Sequence, residues 1–186
     1  MKFHPRFLLA PAALSLTLVL GACASVAPAY QASKANQAAL ANIHGAQVAV
    51  GAFTQPADIS TTCRDKGPVE PPNKLSFASY VQGALSDELK AAGKLDPSSG
   101  VTLTGQLTKV DFSSTHNLVE GYWDLNLALH SSNGRSLSVA EHYDFGTNLI
   151  DMVACQDSAN ALPKAVDALI HKAVSSPDFP ALLMKN

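Results

Sequence analysis

The run Trp123-Asp124-Leu125-Asn126-Leu127-Ala128-Leu129, the break Ser132-Asn133-Gly134 and the run from Ser136 to Phe145 decide the fold. Odd positions of the first run are apolar and even ones polar or small, the period-two signature of a strand with one buried face. Leu137, Val139, Tyr143 and Phe145 keep that parity in the second run. Asn-Gly favours a two-residue hairpin turn, but that register sets Leu129 against Ser138 and mixes the two faces. A three-residue loop with Gly134 in the left-handed region instead pairs Leu129 with Leu137, Leu127 with Val139 and Trp123 with Tyr143. The same register places Asp124 across from His142 on the polar face, with Asp144 two residues along. It also puts Glu141 on the core side opposite Leu125. An unpaired buried carboxylate is costly, so an edge position, a second bulge or a cationic partner is expected there.

Upstream, Val101 to Leu107 alternates strictly, with apolar residues on odd numbers; then Val110 and Phe112 appear on even ones. A one-residue slip would turn the apolar set to solvent, so a bulge near Thr108 or Lys109 is predicted. Phe77, Tyr80, Val81, Ala84, Leu85, Leu89 and Ala92 recur every three or four residues and predict a helix capped by Ser76 and ended by Gly93. Gln47 to Phe53 reads as a first strand. Leu162, Val166, Leu169, Ile170 and Ala173 predict a last helix starting near Asp157 or Ser158, which keeps Pro163 close to its first turn. Between first strand and first helix, Thr54 to Asn73 contains Pro56, Gly67, Pro68, Pro71 and Pro72 and reads as a long loop.

The order β-α-β-β-β-α implies an α+β two-layer sandwich: a four-stranded, largely antiparallel sheet with two helices on one face. The other face stays open and carries Thr102, Thr104, Gln106, Asp124, Asn126, Ser136, Ser138 and His142, the expected partner surface.

The N-terminus reads Met1-Lys2-Phe3-His4-Pro5-Arg6, then an apolar run from Phe7 to Leu20, too short to span about 30 Å of hydrocarbon. Leu20-Gly21-Ala22-Cys23 follows and resembles the lipobox of bacterial lipoproteins. The resemblance implies that residues 1–22 are a removed signal and that Cys23 carries diacylglycerol. Ala24 in place of an aspartate implies an outer-membrane anchor facing the periplasm. Ordinary cleavage after Ala22-Cys23-Ala24 or Ala27-Pro28-Ala29 is the alternative and leaves a free protein. Residues 23–43, rich in Ala, Gln, Ser and Lys, read as the lipidated cysteine and a flexible tether, with a short helix allowed around Ser33 to Leu40. Residues 44–186 then form a single periplasmic domain.

Lipobox, tether and element order together resemble small outer-membrane lipoproteins of the YajG-like and LptE-like kind. Such proteins act as accessory or assembly components that bind other envelope molecules without catalysis. The resemblance therefore implies two partners, the membrane through the N-terminal lipid and an envelope protein.

The formal net charge of the 186 residues is −2, and no basic cluster follows the signal, which argues against nucleic acid. Of three cysteines, Cys23 is taken by lipid, leaving Cys63 and Cys155 to pair in an oxidising compartment. That bridge would contribute roughly 4 kcal/mol by closing a long loop. Two separate buried thiols are the alternative, and metal ligation is poorly served, because neither cysteine has a second ligand at suitable spacing.

Asp124 with His142 is the best polar constellation for general-base or metal chemistry; the plainer reading is an exposed cross-strand ion pair. No nucleophile elbow, His-Glu-x-x-His, phosphate loop or Ser-x-x-Lys occurs, so no catalytic residue, metal or cofactor is assigned. His44, His116, His130 and His171 are scattered and read as surface or boundary residues. A small-ligand or glycan-binding protein is the competing function, and it needs aromatics in a concave site, whereas the one Trp falls in the core. A hydrolase is the third reading and lacks a residue set.

Overall fold

The computed structural model describes residues 24–44 and 47–185. The signal sequence and Cys23 lie outside the described residues.

Four strands build the main sheet: β2 (Ala49–Thr54), β5 (Thr102–Asn117), β6 (Glu120–Ser131) and β7 (Ser136–Gly146), in the order β2-β5-β6-β7. β2 runs parallel to β5; the other pairs are antiparallel. The hairpin register follows from parity: Leu129 faces Leu137, Leu127 faces Val139, Trp123 faces Tyr143 and Asp124 faces His142. Gly134 takes φ +86° in the three-residue loop, open only to glycine without strain. In β5 the partners step from Leu107↔Leu127 to Lys109↔Asn126, so Thr108 is the extra residue. The bulge restores Val110 and Phe112 to the core side, opposite Leu125 and Trp123.

Helices α2 (Phe77–Ala91) and α3 (Asp151–Val174) pack on the face that carries these leucines. Ser76 caps α2 by accepting from the Ser79 N–H, and Gly93 (φ +67°) follows its end. Trp123 is fully buried: Phe112 stacks on it at 4.7 Å, Phe77 lies 5.8 Å away, and its indole N–H donates to the Ser158 carbonyl at 2.9 Å. The single polar atom of the ring is thereby satisfied in the core.

Three expectations are corrected. First, the segment read as a tether is folded against the domain. Ser25–Val26 forms β1, parallel to Val69 and Glu70; Lys34–Ala41 forms α1, capped by Ser33; and Leu40 and Ile43 are buried. Polar contacts hold it, which is why no apolar period announces it.

Second, the proline-rich stretch contains β3 (Thr62–Cys63) and β4 (Gly67–Glu70), which with β1 make a small sheet in the order β1-β4-β3. Pro68 is accommodated because its neighbour Val69 supplies the ladder bond, donating to the Thr61 carbonyl at 2.8 Å.

Third, α3 begins at Asp151, six residues ahead of Asp157, so Pro163 lies inside the helix. Its ring forfeits one helical bond, and that cost is outweighed by burial of Ala154, Cys155, Ala159, Leu162 and Val166 on the same helix. A short α4 (Phe179–Leu183) closes the far end, where Ser131 Oγ donates to the Leu182 carbonyl at 2.7 Å.

Candidate functional site

Alternation along β5, β6 and β7 delivers the predicted polar set to the uncovered sheet face. Thr104, Gln106, Ser136, Ser138 and His142 are exposed there; Thr102, Asp124 and Asn126 are half-buried by their neighbours. The small residues Ala128 and Ala140 occupy the same parity. Gly51 on β2 lets the Thr102 and Thr104 side chains lie close over the parallel strand. The face is thus broad and polar: Thr102, Thr104, Ala128, Ser138 and Ala140 keep part of it low, and Gln106, Lys109, Tyr122, His130 and His142 rise over the rest.

One charged chain crosses it. Lys109 donates to Asp124 Oδ2 at 2.6 Å, His142 Nδ1 lies 2.5 Å from Asp124 Oδ1, and His142 Nε2 lies 3.1 Å from Asp144 Oδ1. Tyr122 leans on the imidazole at 5.2 Å. Lys109 reaches Asp124 because the bulge at Thr108 brings it to the polar face. Burial alone would raise the Asp124 carboxyl, but hydrogen bonds from Lys109 and His142 outweigh it and hold the group below its usual range. The Asp124 hydrogen bond raises His142 above its ordinary value, against an opposing desolvation and helped by the charges of Asp124 and Asp144.

The geometry suits an ion pair better than a base. A general base needs a ring nitrogen free to accept a proton from substrate. Both nitrogens of His142 face carboxylates, so the imidazolium form, with two N–H donors, fits the site best. Among the described residues, no group of three or more His, Cys, Asp and Glu is placed to hold a metal ion.

His142 is expected to titrate above 6.5, and Asp124→Asn to return it toward that value, read from the imidazole proton shifts by NMR. Because the folded value is the raised one, the stability this pair contributes is complete below 6.5. It is lost as pH rises through the folded value. A wild-type titration at or below 6.5 would contradict the arrangement.

Glu141 meets two of the three expected remedies. β7 is an edge strand, and Lys172 of α3 brings its ammonium within 2.7 Å of Oε2, as an ion pair rather than an aligned hydrogen bond. Cys63 and Cys155 form a disulfide with Cα atoms 5.7 Å apart, joining β3 to the start of α3. His44, His116, His130 and His171 are all exposed.

A second polar cluster surrounds Glu88. Glu88 is fully buried, and its Oε1 accepts from the Tyr30 hydroxyl (2.6 Å), the Ser33 N–H (2.8 Å) and the Asn36 amide (3.0 Å). Tyr30 and Asn36 also reach Asp167 Oδ1, at 3.1 and 2.8 Å, and His171 Nδ1 lies 2.9 Å from Asn36 Oδ1. Burial first, and then Glu88 and Asp167, push the Tyr30 phenol far above its usual range, so it remains a donor. The cluster fastens residues 30–36 to α2 and α3. The available signal was Glu88 itself, a carboxylate at a stripe position between Leu85 and Leu89.

The molecule thus belongs to the class of α+β two-layer sandwiches with one uncovered polar sheet face. No protein-family model matches the chain, and no curated protein matches it. Among solved structures it is similar to a Xanthomonas campestris protein of the DUF330 family, with 11% identity and a TM-score of 0.55 over 83% of this chain and 93% of that one. More distant are a hypothetical protein of Chlamydia trachomatis (9% identity, TM-score 0.41, 70% and 94% covered) and PelC of Paraburkholderia phytofirmans, a dodecamer (15%, 0.37, 76% and 89%). The Xanthomonas campestris protein shares the fold.

Proposed function

We propose that this chain is a membrane-anchored lipoprotein of the bacterial envelope, facing the periplasm of an outer membrane, that acts without catalysis as an interaction or assembly accessory. The observation that carries the reading is the uncovered face of β5, β6 and β7. β5 and β7 expose Thr104, Gln106, Ser138 and His142 with no element over them among the described residues, and both nitrogens of the histidine in the charged chain are engaged. A broad polar face suits another protein, and around Thr104, Ala128, Ser138 and Ala140 its small side chains leave backbone and hydroxyl groups within reach. Burial of Trp123 withholds the one indole that a glycan site would use. Support for the anchor is Leu20-Gly21-Ala22-Cys23 directly ahead of the folded chain, in keeping with the YajG-like and LptE-like resemblance.

Two experiments test it. Photo-crosslinkers at Thr104, Asn126 and Ser138 in cells are expected to capture one discrete envelope protein, reproducibly from at least two positions. Absence of adducts from all three, with the protein present at wild-type level, would remove the partner face. Cys23→Ala is expected to abolish labelling by a fatty acid and to release the protein from the membrane fraction. Continued membrane retention of that variant would count against the anchor.

A further inference from the structure

The start of the folded chain has a fixed place. β1 runs along α3 in the same direction: Gln156 Nε2 donates to the Val26 carbonyl at 3.3 Å, and four residues later Tyr30 reaches Asp167. Stepping back from Val26 at about 3.3 Å per residue, against about 1.5 Å per residue on the helix, brings Ala24 beside the first turn of α3. Cys23 is the next residue in the chain.

That end of the molecule is also its apolar end. Six of the nine large apolar side chains exposed among the described residues gather there. Leu149 and Ile150 precede α3, and Met152 and Val153 form its first turn, 40–67% exposed. Leu118, 82% exposed, and Val119 form the tip of the β5–β6 hairpin. The tip is joined to the α3 approach by the Thr147 N–H, which donates to the Val119 carbonyl at 2.9 Å, and Leu118 and Leu149 line one groove. Arg64 and Lys66 stand alongside and both pair with Asp151, at 3.4 and 3.5 Å, which leaves the trio with one net positive charge.

We propose that this end rests directly on the bilayer, with the hairpin tip and the α3 approach seated in the headgroup region. The inference rests on the anchor reading above. An acyl group on Cys23 leaves about two residues, under ~10 Å of chain, between membrane and folded domain. The domain has no slack with which to stand off. An apolar rim within reach of the interface sinks about 5–10 Å into it, burying area that would otherwise face water. The same placement stands the strands of the main sheet upright, so the open polar face rises from the membrane rather than lying on it.

The test uses the full-length protein acylated in cells and reconstituted into phosphatidylcholine vesicles containing brominated chains. Leu118→Trp and Ile150→Trp add an indole at exposed positions, and Ser138→Trp serves as the distant control. The first two are expected to lose more than about half of the added emission, a depth of ~5–10 Å being within reach of the quencher, and the control to lose none. A measurement without substitution runs beside it: Met152 and Met184 are 47% and 56% exposed and lie at opposite ends. Peroxide is expected to oxidise Met152 several-fold more slowly on vesicles. Unquenched tryptophans with equal methionine oxidation, in protein whose Cys23 is acylated by mass spectrometry, would overturn the seat and leave the anchor intact. Protein lacking acyl at Cys23 would overturn the anchor and the seat with it.

Discussion

Cys63→Ala/Cys155→Ala is expected to lower the unfolding free energy by about 4 kcal/mol, a large share of the total for a domain of this size. The bridge spans 92 residues, and removing it returns to the unfolded chain the freedom of that loop. The small sheet adds a local reason. Its strands have two, four and two residues, too short to persist alone. The β3–β4 turn holds Arg64, Asp65 and Gly67 at positive φ, which the first two adopt only under constraint. Urea titration of the wild type, the double variant and the reduced wild type checks this. The last two are expected to coincide, and a loss below about 1 kcal/mol would show the bridge to be energetically idle.

Glu88→Ala is expected to cost about 3 kcal/mol, because it leaves the Ser33 N–H, the Asn36 amide and the Tyr30 hydroxyl short of their shared acceptor in a closed site. Glu88→Gln keeps an acceptor oxygen in place and is expected to cost less. The damage should be local before it is global: residues 24–44 lose their fastening to α2 and α3. Limited proteolysis therefore separates the effect from a general loss of stability. The alanine variant is expected to be cut in that segment under conditions where the wild type resists. Equal resistance and an unchanged urea midpoint would show the cluster to be incidental.

The contrast between these two regions explains what the sequence discloses. Parity fixed the main sheet, since a wrong register for Leu127 or Leu129 exposes a whole apolar row, and Asp124, His142 and Glu141 followed from it. The bulge at Thr108 was legible because the phase of Val110 and Phe112 had to be recovered. The disulfide was legible from cysteine number.

Residues 24–44 were not, because Asn36, Tyr30 and Ser33 are held by hydrogen bonds to Glu88 and Asp167, and polar burial has no period. Strands such as Ser25–Val26 are shorter than any repeating pattern. The true start of α3 was hidden for a related reason: Ile150 offers no capping side chain, and Met152 and Val153 point outward rather than continuing the core stripe. Those outward-facing residues belong to the apolar rim.

Glu141 has one more effect. Open sheets invite a second copy to add a strand at a free edge, and β7 is such an edge. An incoming strand would have to close over a carboxylate aimed inward and draw Lys172 away from it, while at the opposite edge the break in pairing between Val50 and Phe53 spoils the regular ladder a newcomer needs. Many copies crowded side by side can therefore remain separate molecules instead of fusing into fibrils.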